Sequence, residues 1–422
     1  MYQPINPFCL TQPIASPVAL QERSDILDIL RGFALLGIFL DNIFGFTGYG
    51  YATEEMHKAL PTAGLDFALG FGEIAFIQGK FYSLFSLLFG IGFSVILLRS
   101  EQKGIDPLKI FYRRLFILLI IGAIHMFLIW EGDILFIYAL TGMLLPLFRN
   151  CSNKTLLIWA TVLIASPILI DIIKLLTDFH TGSYIESFAM SIDKKTGIPL
   201  DRAGYSMYLF KEGSGWNEWR NWQMSGGFYR IAYIIETNRI PKVLGLFLLG
   251  FFVGRNLIYV HLEKFIGLFK KLRTWGLLIG IPCSVALAYF EIHREDFPTK
   301  IELLRTFLYA ISVVPLSLAY TSSICLWWIN RKEKSVLKWL KAPGRMALTN
   351  YLMQTFLGIT IFYGVGFGLG GNVGPAIFML VVLVIYFFQI TFSNWWLKRF
   401  NYGPFEWIWR QLTYMKRLPL KK

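Results

Sequence analysis

Long apolar runs alternate with short polar connectors along almost the whole chain. Each run approaches the roughly 20 residues a helix needs to cross about 30 Å of hydrocarbon. The pattern predicts spans at 27–46, 80–98, 112–130, 133–148, 155–176, 241–260, 274–291, 303–329, 346–366 and 375–396. The 303–329 run is long for a bilayer and is expected to tilt or to lie partly in the interface. The reading is therefore an all-α fold, a polytopic integral membrane helical bundle of about ten transmembrane helices.

The connectors orient it. Lys and Arg collect in 99–114, 261–273 and 330–345 and in the tail after 397, whereas the intervening loops are balanced or acidic. Cytoplasmic loops gather basic residues, so both termini are expected in the cytoplasm. Five parts follow: a cytoplasmic N-terminal segment (1–26), a first bundle of five spans (27–176), an extracytoplasmic loop region (177–240), a second bundle of five spans (241–397) and a basic cytoplasmic tail (398–422). The first twenty residues lack the basic start and compact apolar core of a cleavable signal, so the first span is expected to be retained.

Composition sharpens the class. Of 422 residues, 55% are hydrophobic and only 16% charged, which excludes an ordinary soluble protein. The net charge of +14 is a one-sided excess that fits anionic lipid, not nucleic acid. The expected location is the plasma membrane, the inner one where a cell has two. No external loop carries one of the four cysteines (Cys9, Cys151, Cys283, Cys325), so no disulfide framework is expected. No dense His/Cys/carboxylate cluster suggests a metal.

Chemistry has to be sought among polar residues at membrane depth, where each costs free energy. The third run holds His125, about 18 Å along the helix from Arg113. Glu131 and Asp133 follow in a tight external turn. A histidine within reach of a carboxylate in a dry site is an arrangement for general-base catalysis. The same set serves a proton relay in a transporter, and a lone histidine also satisfies a backbone carbonyl.

On the first span Arg31 and Asn42 face the same way, about 16 Å apart. They either line a ligand path or respectively snorkel and close a helix end. Arg345, Asn350 and Gln354 on the ninth span, with Gln389 and Ser393 on the tenth, either line a polar vestibule with a basic rim or bond across helices. In the long 177–240 segment, Trp216, Trp219 and Trp222 are three apart, as on a headgroup-level amphipathic helix or a platform over an external site. The glycine run GVGFGLGG at 364–371 lacks the strand and the Lys-Ser/Thr of a phosphate loop and reads as a turn. Gly250 and Gly254 read as helix packing.

With LDILRGFALLGIFLDN, KFYSLFSLLFGIGF, HMFLIWEGDILFIYAL, GRMALTNYLMQ and GPFEWIWRQLTY in view, the chain resembles the YeiB-like membrane proteins of the domain-of-unknown-function 418 family over nearly its whole length. A more distant likeness is to the transmembrane acyltransferase superfamily. It rests on Arg31-Gly32 followed by a polar residue eleven positions after the Arg. Those enzymes take an acyl group from cytoplasmic acyl-CoA and place it on an acceptor across the membrane. The acyltransferase-3 branch has a histidine where this chain has Asn42, as in the heparan glucosaminide acetyltransferase branch. Asn cannot be the base, so the resemblance moves that duty to His125 first and to His57 second.

Two functions are expected from this. One is acyl transfer from acyl-CoA to a small-molecule or glycan acceptor. His125 is then the base, oriented by Asp133 or Glu131. Arg31 and Arg345 hold the CoA phosphates, Asn42 binds the thioester carbonyl, and Asn350 and Gln354 line the donor path. The other is proton-coupled transport of a small solute. A sensor or scaffold would leave the buried histidine without a task.

Overall fold

A computed structural model describes residues 24–102, 104, 106–211, 213–294, 301–331 and 335–422. Cys9 and the rest of the segment before Ser24, Lys103, Glu295, Asp296, Lys332 and Lys334 lie outside the described residues. Helices account for the fold; among the described residues the only β pairing is an isolated bridge between Phe400 and Lys421.

The chain opens with α1 (Asp25–Phe46), the short α2 (Glu54–Ala59), α3 (Ala63–Phe76) and α4 (Lys80–Gln102). Next come α5 (Pro107–Ile124), running into a π-helical turn at His125–Ile129, then α6 (Leu135–Gly142) and α7 (Asn153–Thr177). Then follow α8 (Thr181–Thr196), α9 (Arg202–Met207) and α10 (Trp216–Glu236). The remainder is α11 (Arg239–Arg255), α12 (Ile266–Ile292), α13 (Ile301–Arg331), α14 (Lys341–Arg345), α15 (Ala347–Phe362), α16 (Pro375–Arg399) and α17 (Pro404–Tyr414).

Among the described residues, seven segments are long and apolar enough to cross a membrane: Asp25–Phe46, Ala63–Gln102, Pro107–Ile129, Asn153–Thr177, Leu262–Ile292, Ile301–Arg331 and Pro375–Arg399. The protein is a polytopic helical membrane protein. α6, α11 and α15, which the sequence pattern places among the ten spans, are apolar but shorter than these seven.

Helices of both halves interleave. α11 packs on α4 and α7, and α1 packs on α4, α14, α15 and α16. The α4–α11 contact is close because both faces are glycine: a Cβ on Gly90 would come 2.0 Å from Phe247 O, and one on Gly250 2.0 Å from Leu87 O. Small residues let helix backbones approach where lipid gives no hydrophobic push. Around that seam Phe89, Phe93, Phe111, Tyr138, Phe247 and Phe251 fill the core.

Two segments expected as external loops are structured. In 47–79, α3 packs against α12 and α16, and Asp66 on it accepts the Ala376 N–H at the start of α16. The sequence AGLDFALGFGEIAF is apolar but only 14 residues long, too short to register as a span. Gly79, at φ +83°, breaks α3 from α4, and its missing side chain leaves room for the Tyr309 hydroxyl. In 177–240, α8 and α10 lie against each other, tied by the Tyr229 hydroxyl donating to Asp193 Oδ2 at 2.6 Å. α10 then reaches the turn after His125.

Candidate functional site

α5 delivers His125 to the interior, and the chain widens there into one π turn in which Trp130 N–H donates to His125 O at 2.7 Å. Such turns are rare and cluster at functional sites. The turn ends the Pro107–Ile129 span and lets the chain double back within eight residues, so that Asp133 meets His125. Asp133 Oδ1 accepts the Phe136 N–H at 2.6 Å, which caps the first turn of α6. Its Oδ2 is 2.8 Å from His125 Nδ1. Both side chains are closed off from solvent, at 1% and 0% exposure.

The other imidazole nitrogen, Nε2, lies 3.0 Å from Thr355 Oγ1 on α15. A carboxylate only accepts, so Nδ1 donates to Asp133, and in the neutral imidazole Nε2 faces the Thr355 hydroxyl, which also lies 3.5 Å from Tyr351 O. Asp133, His125 and a hydroxyl thus stand in the order that makes an imidazole a base. The walls are aromatic: Trp130 meets the imidazole edge-on at 6.2 Å, and Tyr351 lies 5.3 Å from it. Phe46 at the end of α1 stacks on Trp130 at 4.0 Å.

α10 closes the site from one end of the bundle. Arg230 donates from Nε and Nη2 to the Asp133 carbonyl oxygen at 3.2 and 3.0 Å. Trp222 donates its indole N–H to Glu131 Oε1 at 3.0 Å. Gly226 and Gly227 allow the approach, facing Glu131 and Phe127. Of the three tryptophans, Trp222 is buried over the site while Trp216 stays exposed. Glu131 therefore turns to α10 and not to His125. Burial pushes its carboxyl above the ordinary value, against the pull of the Trp222 N–H.

The remaining sequence candidates lie elsewhere. Arg31 Nη1 pairs with Asp28 Oδ1 at 2.8 Å near the start of α1, while Asn42 is half-buried near its far end. Arg345 Nη2 donates to Asn401 O at 3.4 Å. Asn350 donates to Ser393 Oγ at 3.0 Å, Gln354 to Gln389 Oε1 at 2.9 Å, and Gln389 back to Asn350 O at 2.9 Å. These four form a buried ladder between α15 and α16. His57 Nε2 lies 2.9 Å from Tyr49 O, and its ring stacks on the same residue. Sequence reasoning missed Thr355 and Arg230. A threonine inside an apolar helix and an arginine in a loop segment carry no signal of their own.

Comparison with known proteins now bears on the site. The chain is 34% identical over 414 residues to the uncharacterized protein YxaH of Bacillus subtilis (strain 168), covering 96% of this chain and 98% of that one. The chain belongs to the YeiB-like DUF418 family. The profile described as "Protein of unknown function (DUF418)" matches residues 253–416. An uncharacterized 39.9 kDa protein in the amylase 3' region of Bacillus acidopullulyticus is 29% identical, over 96% of this chain and 97% of its own length. The uncharacterized protein YeiB of Escherichia coli (strain K12) is 28% identical, over 93% and 96%. No solved structure matches the chain. The DUF418 region spans α12 to α17 and so contributes Thr355, while His125 and Asp133 come from outside it and are brought to it by the fold.

Proposed function

We propose that this DUF418 protein is a membrane acyltransferase that moves an acyl group from cytoplasmic acyl-CoA to a small-molecule or glycan acceptor reached from the other side. The observation that carries the reading is the hydrogen-bonded order Asp133–His125–Thr355, buried among aromatic side chains. In this mechanism an acceptor hydroxyl takes the place of the Thr355 hydroxyl at Nε2. His125 removes its proton as the acceptor oxygen attacks the thioester carbonyl, and Asp133 stabilises the imidazolium. Collapse of the tetrahedral intermediate breaks the carbon–sulfur bond. The departing CoA sulfur takes the proton from His125.

The same reading places about ten crossings in the plasma membrane, with both termini in the cytoplasm. On that side a cleft of about 740 Å³ is lined by Ser24, Tyr259, His261, Lys264, Lys338 and Lys341 among others. None of its lining residues belongs to the dyad, so the donor's reactive end reaches His125 only after the bundle opens between them. Lysines there, with Arg31 and Arg345, supply charge for the CoA phosphates.

A proton-coupled solute transporter is the second reading, favoured by the broken α3–α4 helix with its buried charges. The deciding experiment uses purified full-length protein with isotope-labelled acetyl-CoA and a longer acyl-CoA. Ligand at 100 times its Kd is expected to stabilise the fold by about 2.7 kcal/mol. His125→Ala is expected to keep that shift and lose acyl transfer. Transfer that survives His125→Ala sinks the assignment of the base. Absence of any acyl-CoA shift in folded protein, together with pH-driven solute flux in vesicles, selects the transporter.

A further inference from the structure

A second set of ionisable groups lies apart from His125, at the break between α3 and α4. The carboxyls of Asp41 on α1 and Glu73 on α3 are within hydrogen-bonding reach of each other. Glu73 is buried at 4% exposure, and its Oε1 receives no donor from the protein. The Lys80 side chain, wholly buried, points its ammonium at Ile74 O (2.7 Å) and closes the C-terminal end of α3.

Charged groups on three neighbouring helices act on the pair. Lys80 from α4 acts on both acids, and Arg230 from α10 and Arg239 from α11 act on Asp41. Arg239 is held by the Tyr233 hydroxyl at 2.8 Å and lies over the Tyr82 ring at 4.6 Å. Ser284 on α12 donates to Ala75 O, and Tyr320 on α13 to Phe76 O, so both spend their hydrogens on the α3 backbone.

Two carboxylates in contact away from water repel each other strongly, and neither gives a donor to the other while both are ionised. One shared proton removes the repulsion and supplies the missing hydrogen bond, while Lys80 and Arg239 balance the remaining negative charge. The pair is not sealed. Asp41 and Arg239 are half-buried, and beyond them Tyr233 and Tyr51 keep 43% and 37% of their surface exposed at the α10 end of the bundle.

We propose that Asp41 and Glu73 form a proton-binding site that holds one proton between them and exchanges it through the Tyr51–Tyr233 side of the bundle. The inference depends on neither function above, because its readout is the proton itself.

The test is infrared spectroscopy of the full-length protein in lipid vesicles, following the carbonyl stretch of protonated carboxyls. Asp41→Asn with Glu73→Gln is expected to remove the band of one protonated carboxyl per chain at neutral pH, and His125→Ala to leave it in place. An unchanged band in the folded double variant overturns the proposal. If that variant does not fold, the wild-type protein decides. Dicyclohexylcarbodiimide, which attacks protonated carboxyls from the apolar phase, is expected to modify Asp41 or Glu73, and less so as pH rises. Mass spectra without an adduct on either residue at any pH overturn it equally.

Discussion

Arg230, in the second half of α10, grips the backbone carbonyl of Asp133 through two guanidinium nitrogens, at 3.2 and 3.0 Å. α10 is thereby fastened to the residue that hydrogen-bonds His125. Hydrogen bonds from a charged group contribute about 1.5–3 kcal/mol. Arg230→Ala is expected to lower thermal stability by that order and to reduce acyl transfer, with Arg230→Lys restoring part of each. Melting curves and initial rates check both. Unchanged rates in a destabilised variant would mean that the contact only holds the fold.

Asp133 sets the tautomer of His125. Asp133→Asn keeps the shape but offers an amide N–H where the imidazole needs an acceptor. Comparable changes in serine proteases cost about 10⁴-fold in kcat. Acyl transfer is expected to fall by about 10³-fold or more, while the acyl-CoA thermal shift stays.

In the proposed acyl-transfer mechanism, Thr355 marks the position of the acceptor hydroxyl and is not itself a nucleophile. Thr355→Val fills the same space without the hydroxyl, so transfer is expected to stay within about tenfold of the wild type. Intact-protein mass spectra after acyl-CoA treatment are expected to show no acyl adduct. Abolished transfer, with an acylated threonine in the wild type, would reverse the assignment.

Gly79 makes the α3–α4 break at φ +83°, and a Cβ there would come 2.8 Å from the Tyr309 hydroxyl. Gly79→Ala is expected to destabilise by more than about 1 kcal/mol, since alanine adopts that backbone only under strain. Thermal unfolding reads the loss. A neutral result would mean that the break is not rigid.

Glu236, at the end of α10, ties that helix to α7 and to the start of α8. Burial pushes its carboxyl up, but Lys174 Nζ at 3.1 Å, the Gly182 N–H at 2.6 Å and His180 outweigh that and hold it below the ordinary 4.5. A carboxyl held low in the folded state stabilises fully above its unfolded value. That contribution fades as pH falls through the lower folded value. The melting temperature is expected to drop between about pH 5 and pH 3, and Glu236→Gln to remove that part of the drop. A variant with the wild-type profile would assign the acid step to other groups.

Apolar run length alone made the helical membrane class legible, because hydrocarbon thickness imposes it on each segment independently. His125 and Asp133 were also legible, since an ionisable pair eight residues apart across a turn is local in the chain. α3 was not. Its 14 residues, apolar but for Asp66 and Glu73, are too few for a span, and its stability comes from α12 and α16, far off in sequence. Glu73 falls in the same segment, which the sequence pattern leaves between two spans.

Thr355 reaches His125 across 230 positions, and Arg230 reaches Asp133 across 97. The sequence by itself determined what is paid residue by residue, namely which segments prefer lipid and which polar groups are costly inside it. Only the tertiary structure decided which of those costly groups meet. Partner choice among buried polar side chains depends on helix packing at glycine seams such as Gly90–Gly250, and no local pattern encodes that.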